Sequence, residues 1–384
     1  MKIGVVCETY PGERRVALIP ALTAGYVQLG YEVLVQSGAG AGAYHSDEAY
    51  SRAGAQVLPT REAVLHEASV VLTVRTAGAN PHFEADLPHV REGQVWIGMM
   101  EPLYRPQGVA QLAARGATAF AMELIPRITR AQSMDALSSM ATVAGYKAVL
   151  LAAHLAPSMF PLLMSAAGTV SPARVFVIGA GVAGLQAMAT AKRLGAAVAG
   201  YDVRPATREQ VESVGAKFVE IPLEVAQAET AGGYARALEE ETLRRQQDLL
   251  GEHLVQHEVV ITTAAVPGKR APVLIPQRVV EAMPPGSVII DLAAEWGGNC
   301  ELTQPRETIQ HKGVTIVGAV NLPATAPIDA SMLYSRNLYH LIAHLHKVGM
   351  LPEPNPAIED EIARETLATH GGKIVHPRVA QSVG

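Results

Sequence analysis

The chain has 384 residues, 49% hydrophobic but only 5% aromatic, with a net charge of −5. That length exceeds what one hydrophobic core usually supports, so two domains are expected, and the charge gives no electrostatic ground for a nucleic-acid partner. Two cysteines, Cys7 and Cys300, make no disulfide framework and fit a reducing cytoplasm; the N-terminus enters a strand directly, with no secretory signal.

The first 120 residues alternate short apolar runs near 2–6, 32–36, 69–74, 94–99 and 117–122 with helical segments. Such alternation predicts a doubly wound parallel sheet with helices on both faces. Glu13, Arg14 and Arg15 precede the apolar run Val16–Ile19; on chemistry alone they read as a solvated turn before a helix. Gly38-Ala-Gly40-Ala-Gly42-Ala43 satisfies a glycine fingerprint in form only. The expected helix cap, Ser46-Asp47, lies beyond the glycines, so a flexible loop is predicted there.

Between Pro126 and Ser139 the chain gathers Arg127, Arg130, Gln132, Asp135 and Ser138 with little apolar periodicity. This inventory can hold a carboxamide and ribose hydroxyls, and it equally suits a polar linker whose Asp or Ser caps the next helix. Ala148–Gly168 is apolar and about long enough to cross a membrane. His154, Pro157 and Pro161 interrupt it, which predicts a buried helix with a proline-rich exit and no membrane span of this chain's own.

Arg174–Ile178 then reads as a strand, followed by Gly179-Ala180-Gly181-Val182-Ala183-Gly184, a helix to Leu194, a turn at Gly195 and a second strand ending at Asp202. In a dinucleotide-binding unit the first glycine permits the turn, the second admits a pyrophosphate, and the third lets helix and strand pack closely. Helix N-terminal amides meet the phosphates, and a terminal carboxylate can accept from an adenosine ribose. Val203 and Arg204 follow Asp202 at the same edge. Asp202 predicts NAD(H) over NADP(H), because a 2′-phosphate would meet like charge. Arg204 and Arg208 oppose this if they turn inward, although Pro205 suggests a loop leaving the site. Further on, Gly232-Gly233-Tyr234 reads either as a mobile flap with an aromatic tip or as a plain loop. The strands near 259–264 and 287–291 end in small or polar residues, among them Thr263 and Ala264, where a ligand is expected. A helix from Ile328 through His346 would carry the chain back to the first domain.

Together Glu13–Pro20, Arg127–Ser138, the Gly179 fingerprint, Gly232-Gly233-Tyr234 and Asp291–Asn299 resemble the alanine dehydrogenase and pyridine nucleotide transhydrogenase superfamily over nearly the whole chain. Arg127, Gln132 and Asp135 at their spacing, with Gly-Gly-Tyr, resemble its transhydrogenase branch. The resemblance implies that Arg127, Gln132, Asp135 and Ser138 position a dihydronicotinamide and that Tyr234 tips a loop closing on bound nucleotide. It further implies NAD(H) bound here and NADP(H) on a partner subunit, with direct hydride transfer between them and Gln132 acting toward the second nucleotide. A homodimer is implied too, cytoplasmic and peripheral on the inner face of the cell membrane, with proton translocation in membrane-spanning partner subunits. The alanine dehydrogenase branch needs a lysine and a histidine where this chain has Thr73 and the methionines Met99 and Met100, with Arg75 nearby. A soluble NAD-dependent amino-acid dehydrogenase and a non-catalytic NAD-sensing module stay open as alternatives. The fold expected is α/β, with two Rossmann-like domains: 1–137 plus 328–384, discontinuous in sequence, and 138–327, with nucleotide in the cleft.

Overall fold

The computed structural model describes residues 1–222, 240–266, 268–351 and 353–383. The chain first lays down six strands: β1 (Lys2–Val5), β2 (Glu32–Gln36), β3 (Gln56–Leu58), β4 (Val70–Arg75), β5 (Val95–Met99) and β6 (Thr118–Ala121). A small hairpin follows, β7 (Leu163–Ser165) and β8 (Gly168–Val170). Then come β9 (Arg174–Ile178), β10 (Ala197–Tyr201), β11 (Lys217–Phe218), β12 (Val259–Thr262), β13 (Val288–Asp291), β14 (Thr308–His311) and β15 (Val314–Gly318). The tail adds β16 (Leu367–His370) and β17 (Lys373–Ile374). Two sheets result, ordered β17-β16-β6-β5-β4-β1-β2-β3 and β11-β10-β9-β12-β13-β15-β14. Both are parallel except at one edge, where β16 runs antiparallel to β6 in the first sheet and β14 to β15 in the second. The chain divides into two compact units, Met1–Met140 with Pro323–Gly384, and Ala141–Leu322.

Each sheet is wound outward one way and then the other. In the second, β9, β10 and β11 run to one side before β12, β13 and β15 fill the other, so strand order reverses between β9 and β12. Ligands of doubly wound sheets bind at the carboxyl ends of strands beside such a switch point. Side-chain alternation accounts for the double cover. Val175 and Val177 join a core with Ala148, Val149, Ala187 and Ala191, while Phe176 and Ile178 join another with Leu250, Leu254, Val279 and Val280. Each fully buried Val, Leu, Ile or Phe among them contributes roughly 1.5–3 kcal/mol, and a one-residue slip of β9 would exchange the two sets between cores shaped for the other.

The apolar stretch after residue 136 departs from the sequence expectation. Its helix, Ala136–Leu155, begins earlier, and the residues past Pro161 form the exposed hairpin instead. Gly168 takes φ +128° in the turn, and Ser165 Oγ accepts from Ala167 N at 3.2 Å. Among the described residues this is the one helix long and apolar enough to cross a membrane. Gly145 lies within it against Ala183, whose carbonyl oxygen a Cβ at Gly145 would strike.

The glycines from Gly38 to Gly42 differ in their surroundings: a Cβ at Gly38 would meet nothing within 4 Å, whereas Gly40 and Gly42 are closely approached. They lead into a short 3₁₀ turn, Ala41–Ala43, and a Cβ at Gly42 would lie 2.7 Å from the carbonyl oxygen of Arg14. Ser46 caps the helix Asp47–Arg52, its side chain accepting from Ala49 N at 3.3 Å.

The closing helix spans Pro327–Lys347. Ser331 Oγ accepts from Val16 N at 3.0 Å, Ser335 Oγ accepts from Ile19 N at 3.1 Å, and the Tyr334 hydroxyl donates to Thr73 O at 2.9 Å. Three side chains of one helix thus satisfy backbone groups of segments more than 250 residues away.

Candidate nucleotide site

In the second unit the fingerprint turn sits where β9 ends. Gly179 has φ +97°, a conformation that favours glycine, and a Cβ there would also strike Thr263 Oγ1. That hydroxyl bonds the carbonyls of Ile178 and Gly179, each at 3.2 Å. Gly184 packs so closely that a Cβ would strike the carbonyl oxygen of Gly179. Gly181 differs from both: a Cβ there would meet nothing within 4 Å, so the backbone lies open to whatever approaches. Gly181 is the N-cap of the helix Val182–Arg193 with no side-chain cap, and Val182 is exposed. Bare backbone at the start of a three-turn helix is the anion-receiving arrangement.

Asp202 closes β10 and is buried, yet it is already engaged by its own chain. Oδ2 accepts from Ala180 N at 2.7 Å and from Arg204 Nη2 at 2.8 Å; Oδ1 accepts from Arg204 N at 2.9 Å and Nε at 2.8 Å. The carboxylate thereby ties the glycine turn to the end of the next strand. Arg204 does turn inward, to Asp202, and Val203 between them is half-buried. Arg208 pairs instead with Glu220. Ala264 is held from both sides by one residue: its N–H donates to Asn299 Oδ1 at 3.0 Å, and Asn299 Nδ2 donates to its carbonyl at 2.8 Å. Asn299 is placed in turn by Asp291, whose Oδ2 accepts from Asn299 N, Cys300 N and Thr303 Oγ1. The sequence alone assigned no role to Asp291 or Asn299. The signal available was an acid ending a fully apolar strand before a Gly-Gly-Asn turn. Gly233 and Tyr234 lie outside the described residues.

In the first unit, Thr129–Met134 forms a 3₁₀ helix packed on Pro327–Lys347. Ala131 and Met134 are buried, whereas Arg127 and Gln132 are exposed. Asp135 caps the helix that follows: Oδ1 accepts from Ser138 N at 2.9 Å and Oδ2 from the Ser138 hydroxyl at 2.6 Å. Capping is thus realised at Asp135 and Ser138, within a segment that is pinned rather than slack. Arg130 reaches Asp360 at 3.6 Å, and His344 Nε2 bonds the same carboxylate at 2.8 Å. Burial would raise the Asp360 carboxyl, but the His344 hydrogen bond, the Ala363 amide and the charges of His344 and Arg130 outweigh it and hold it below its ordinary range.

Glu13 and Arg15 are not a solvated turn. Their side chains are almost completely buried and paired, with Arg15 Nε and Nη2 donating to Glu13 at 2.7 and 2.6 Å. Arg75 stands nearby, its guanidinium 4.2 Å from the centre of the Tyr10 ring and 3.7 Å from Glu101. Glu8 accepts from Val74 N and Arg75 N; burial, and then the charge of Glu13, push its carboxyl up to about 7. The charges read as surface because sequence shows their density and not the partners that neutralise it.

A glycine turn at a switch point, a helix N-terminus left bare and a strand-terminal acid define a doubly wound α/β protein of the dinucleotide-binding class. The chain belongs to the alanine dehydrogenase/PNT family: residues 4–144 match its N-terminal domain and residues 148–377 its C-terminal domain. It is 46% identical over 379 residues to the first part of the NAD(P) transhydrogenase alpha subunit of Rhodospirillum rubrum, covering 98% of each chain. Its structure resembles that of a transhydrogenase from Sinorhizobium meliloti, with a TM-score of 0.83 and 40% identity over 98% of this chain and 99% of the other. An L-alanine dehydrogenase structure is comparably similar in shape, with a TM-score of 0.82 over 100% and 99% of the chains, but only 26% identical.

Proposed function

We propose that this chain is the NAD(H)-binding subunit of a proton-translocating transhydrogenase, a homodimer that docks through partner subunits on the inner face of the cell membrane. The observation that carries this reading is the Arg127–Ser138 segment, a pinned platform with Arg127 and Gln132 exposed. A fit to a dinucleotide is supported by the open backbone at Gly181, which leaves room for a pyrophosphate above the Val182 helix. When bound, the nicotinamide supplies or accepts the hydride.

The protein's part is then positional. Gly181 and Val182 would receive phosphate, and Asp202 would meet the ribose by sharing its lone pairs with Arg204. Arg127, Asp135 and Ser138 would orient the carboxamide and its ribose, while Gln132 faces the NADP(H) of the partner. Two rings held in near-attack geometry gain on the order of 7–11 kcal/mol over free collision, so alignment alone can carry the rate.

The amino-acid dehydrogenase alternative finds less support. Thr73, Met99 and Met100 stand where that branch needs a substrate-binding lysine and a proton-handling histidine. The test is to mix the purified chain with the NADP(H)-binding subunit of a transhydrogenase and follow hydride transfer from NADH to an NADP+ analogue. Transfer only with the partner supports the reading. Turnover of alanine with NAD+ by the chain alone overturns it, and nucleotide binding with neither activity leaves a sensing module.

A further inference from the structure

The platform that carries Gln132 has a polar anchor from a distant part of the chain. Asn337 Nδ2, on the closing helix, donates to the carbonyl of Ser133 at 2.8 Å, across 204 residues of sequence. Asn337 is 5% exposed, and its Oδ1 is buried without a hydrogen-bond partner among the described residues. The unpaired buried acceptor is a cost that an apolar residue of the same shape would not carry. What Asn337 supplies is direction. Ala131 and Met134 stop the 3₁₀ turn from lifting, but apolar contact is non-directional and leaves the turn free to rotate. A hydrogen bond to the carbonyl of Ser133, the residue after Gln132, opposes that rotation. The Arg130–Asp360 contact, at 3.6 Å with the arginine side chain 62% exposed, is too loose to do so.

We infer that Asn337 is a positioning residue for hydride transfer, setting the orientation in which Gln132 is presented to the second nucleotide. This role rests on the transhydrogenase reading. It touches neither nucleotide in that reading, so its loss should separate rate from affinity.

The test uses the full chain as Asn337→Leu, close in size and without a donor, and as Asn337→Ala, which removes the group altogether. Hydrogen exchange should rise in residues 129–135 while the closing helix and β4–β6 keep their protection. NADH affinity of the isolated chain should stay within about twofold, and hydride transfer with the NADP(H)-binding subunit should fall about tenfold or more, the scale expected for sub-ångström misplacement. A wild-type chain that transfers no hydride with the partner overturns the transhydrogenase reading, and this role with it. If the wild type transfers, then equal transfer by the variants, a fall only in proportion to weaker NADH binding, or unchanged exchange in residues 129–135 overturns the role of Asn337 alone.

Discussion

The Gly179 turn and the Arg127–Ser138 platform are held by opposite means. In the turn almost everything is local: Gly179, Gly184, Thr263 and Asp202 interlock at the ends of three adjacent strands, and two of the four matter for having no side chain. The platform is polar and side-chain rich, yet its directional hold comes from Asn337 far along the chain. A site of bare backbone must therefore be specified by its immediate neighbours. A site of projecting side chains can be moved or stiffened from a distance.

The strongest way to break this contrast is at the glycines. Gly184→Ala should destabilise the chain by about 3 kcal/mol or more, because the new methyl meets backbone that cannot yield; Gly181→Ala should cost well under about 1 kcal/mol yet weaken NADH binding. Chemical denaturation and NADH fluorescence titration on both variants check it. Equal stability losses would show that the turn is packed alike at both positions.

Gln132→Asn comes next. Shortened by one methylene, it should leave NADH affinity of the isolated chain unchanged and slow transfer in the complex by roughly a hundredfold, as a displacement of about 1 Å can. Stopped-flow transfer at saturating NADH decides it. A wild-type rate would reduce the platform to a structural segment.

Asp202→Ala should act on selectivity more than on chemistry. It releases Ala180 N and removes the carboxylate that repels a 2′-phosphate and draws Arg204 inward, so the preference for NADH over NADPH should fall about tenfold, or about 1.4 kcal/mol. Dissociation constants for both nucleotides measure it, and an unchanged ratio would mean that Arg204 does not reach that region.

The smallest effect is expected at Asp360. Asparagine keeps the cap on Ala363 N but loses the charge facing His344 and Arg130. The Asp360 carboxyl lies below its ordinary value when folded, so its contribution is present at neutral pH and disappears as acidity protonates it. Asp360→Asn should therefore cost about 1 kcal/mol at neutral pH, a difference that starts to shrink near the ordinary aspartate value and closes only in more acid solution, once the folded carboxyl is protonated. Urea midpoints at several pH values test this.

Much of the fold was legible because its signals are short-range. The strands β1, β2, β4–β6, β9, β10, β12 and β13 read as apolar runs, whereas β3, β11 and β14–β17 give no such reading; the glycine turn announces itself through residues that only a tight bend and a close approach require. The closing helix was read within a residue of Pro327–Lys347, since its apolar spacing is sustained over many turns. What escaped depends on partners remote in sequence or on weak local patterns. The hairpin Leu163–Val170 is hidden in an apolar stretch that also suits a helix. Glu13 and Arg15 look solvated until the partners that surround them are known. In the platform the residue types were legible, but Asn337 carries no local mark of its bond to Ser133, and Asn299 none of its hold on Ala264.

That hold has a consequence for the sheet itself. A carboxamide bears the same donor and acceptor as a peptide group, so Asn299 stands beside Ala264 as a one-residue counterfeit strand. It continues the pairing of β12 past Thr262 without the backbone a real neighbour would bring. Because the bonds run to main-chain atoms, residue 264 can change identity freely in this respect, whereas residue 299 has few substitutes.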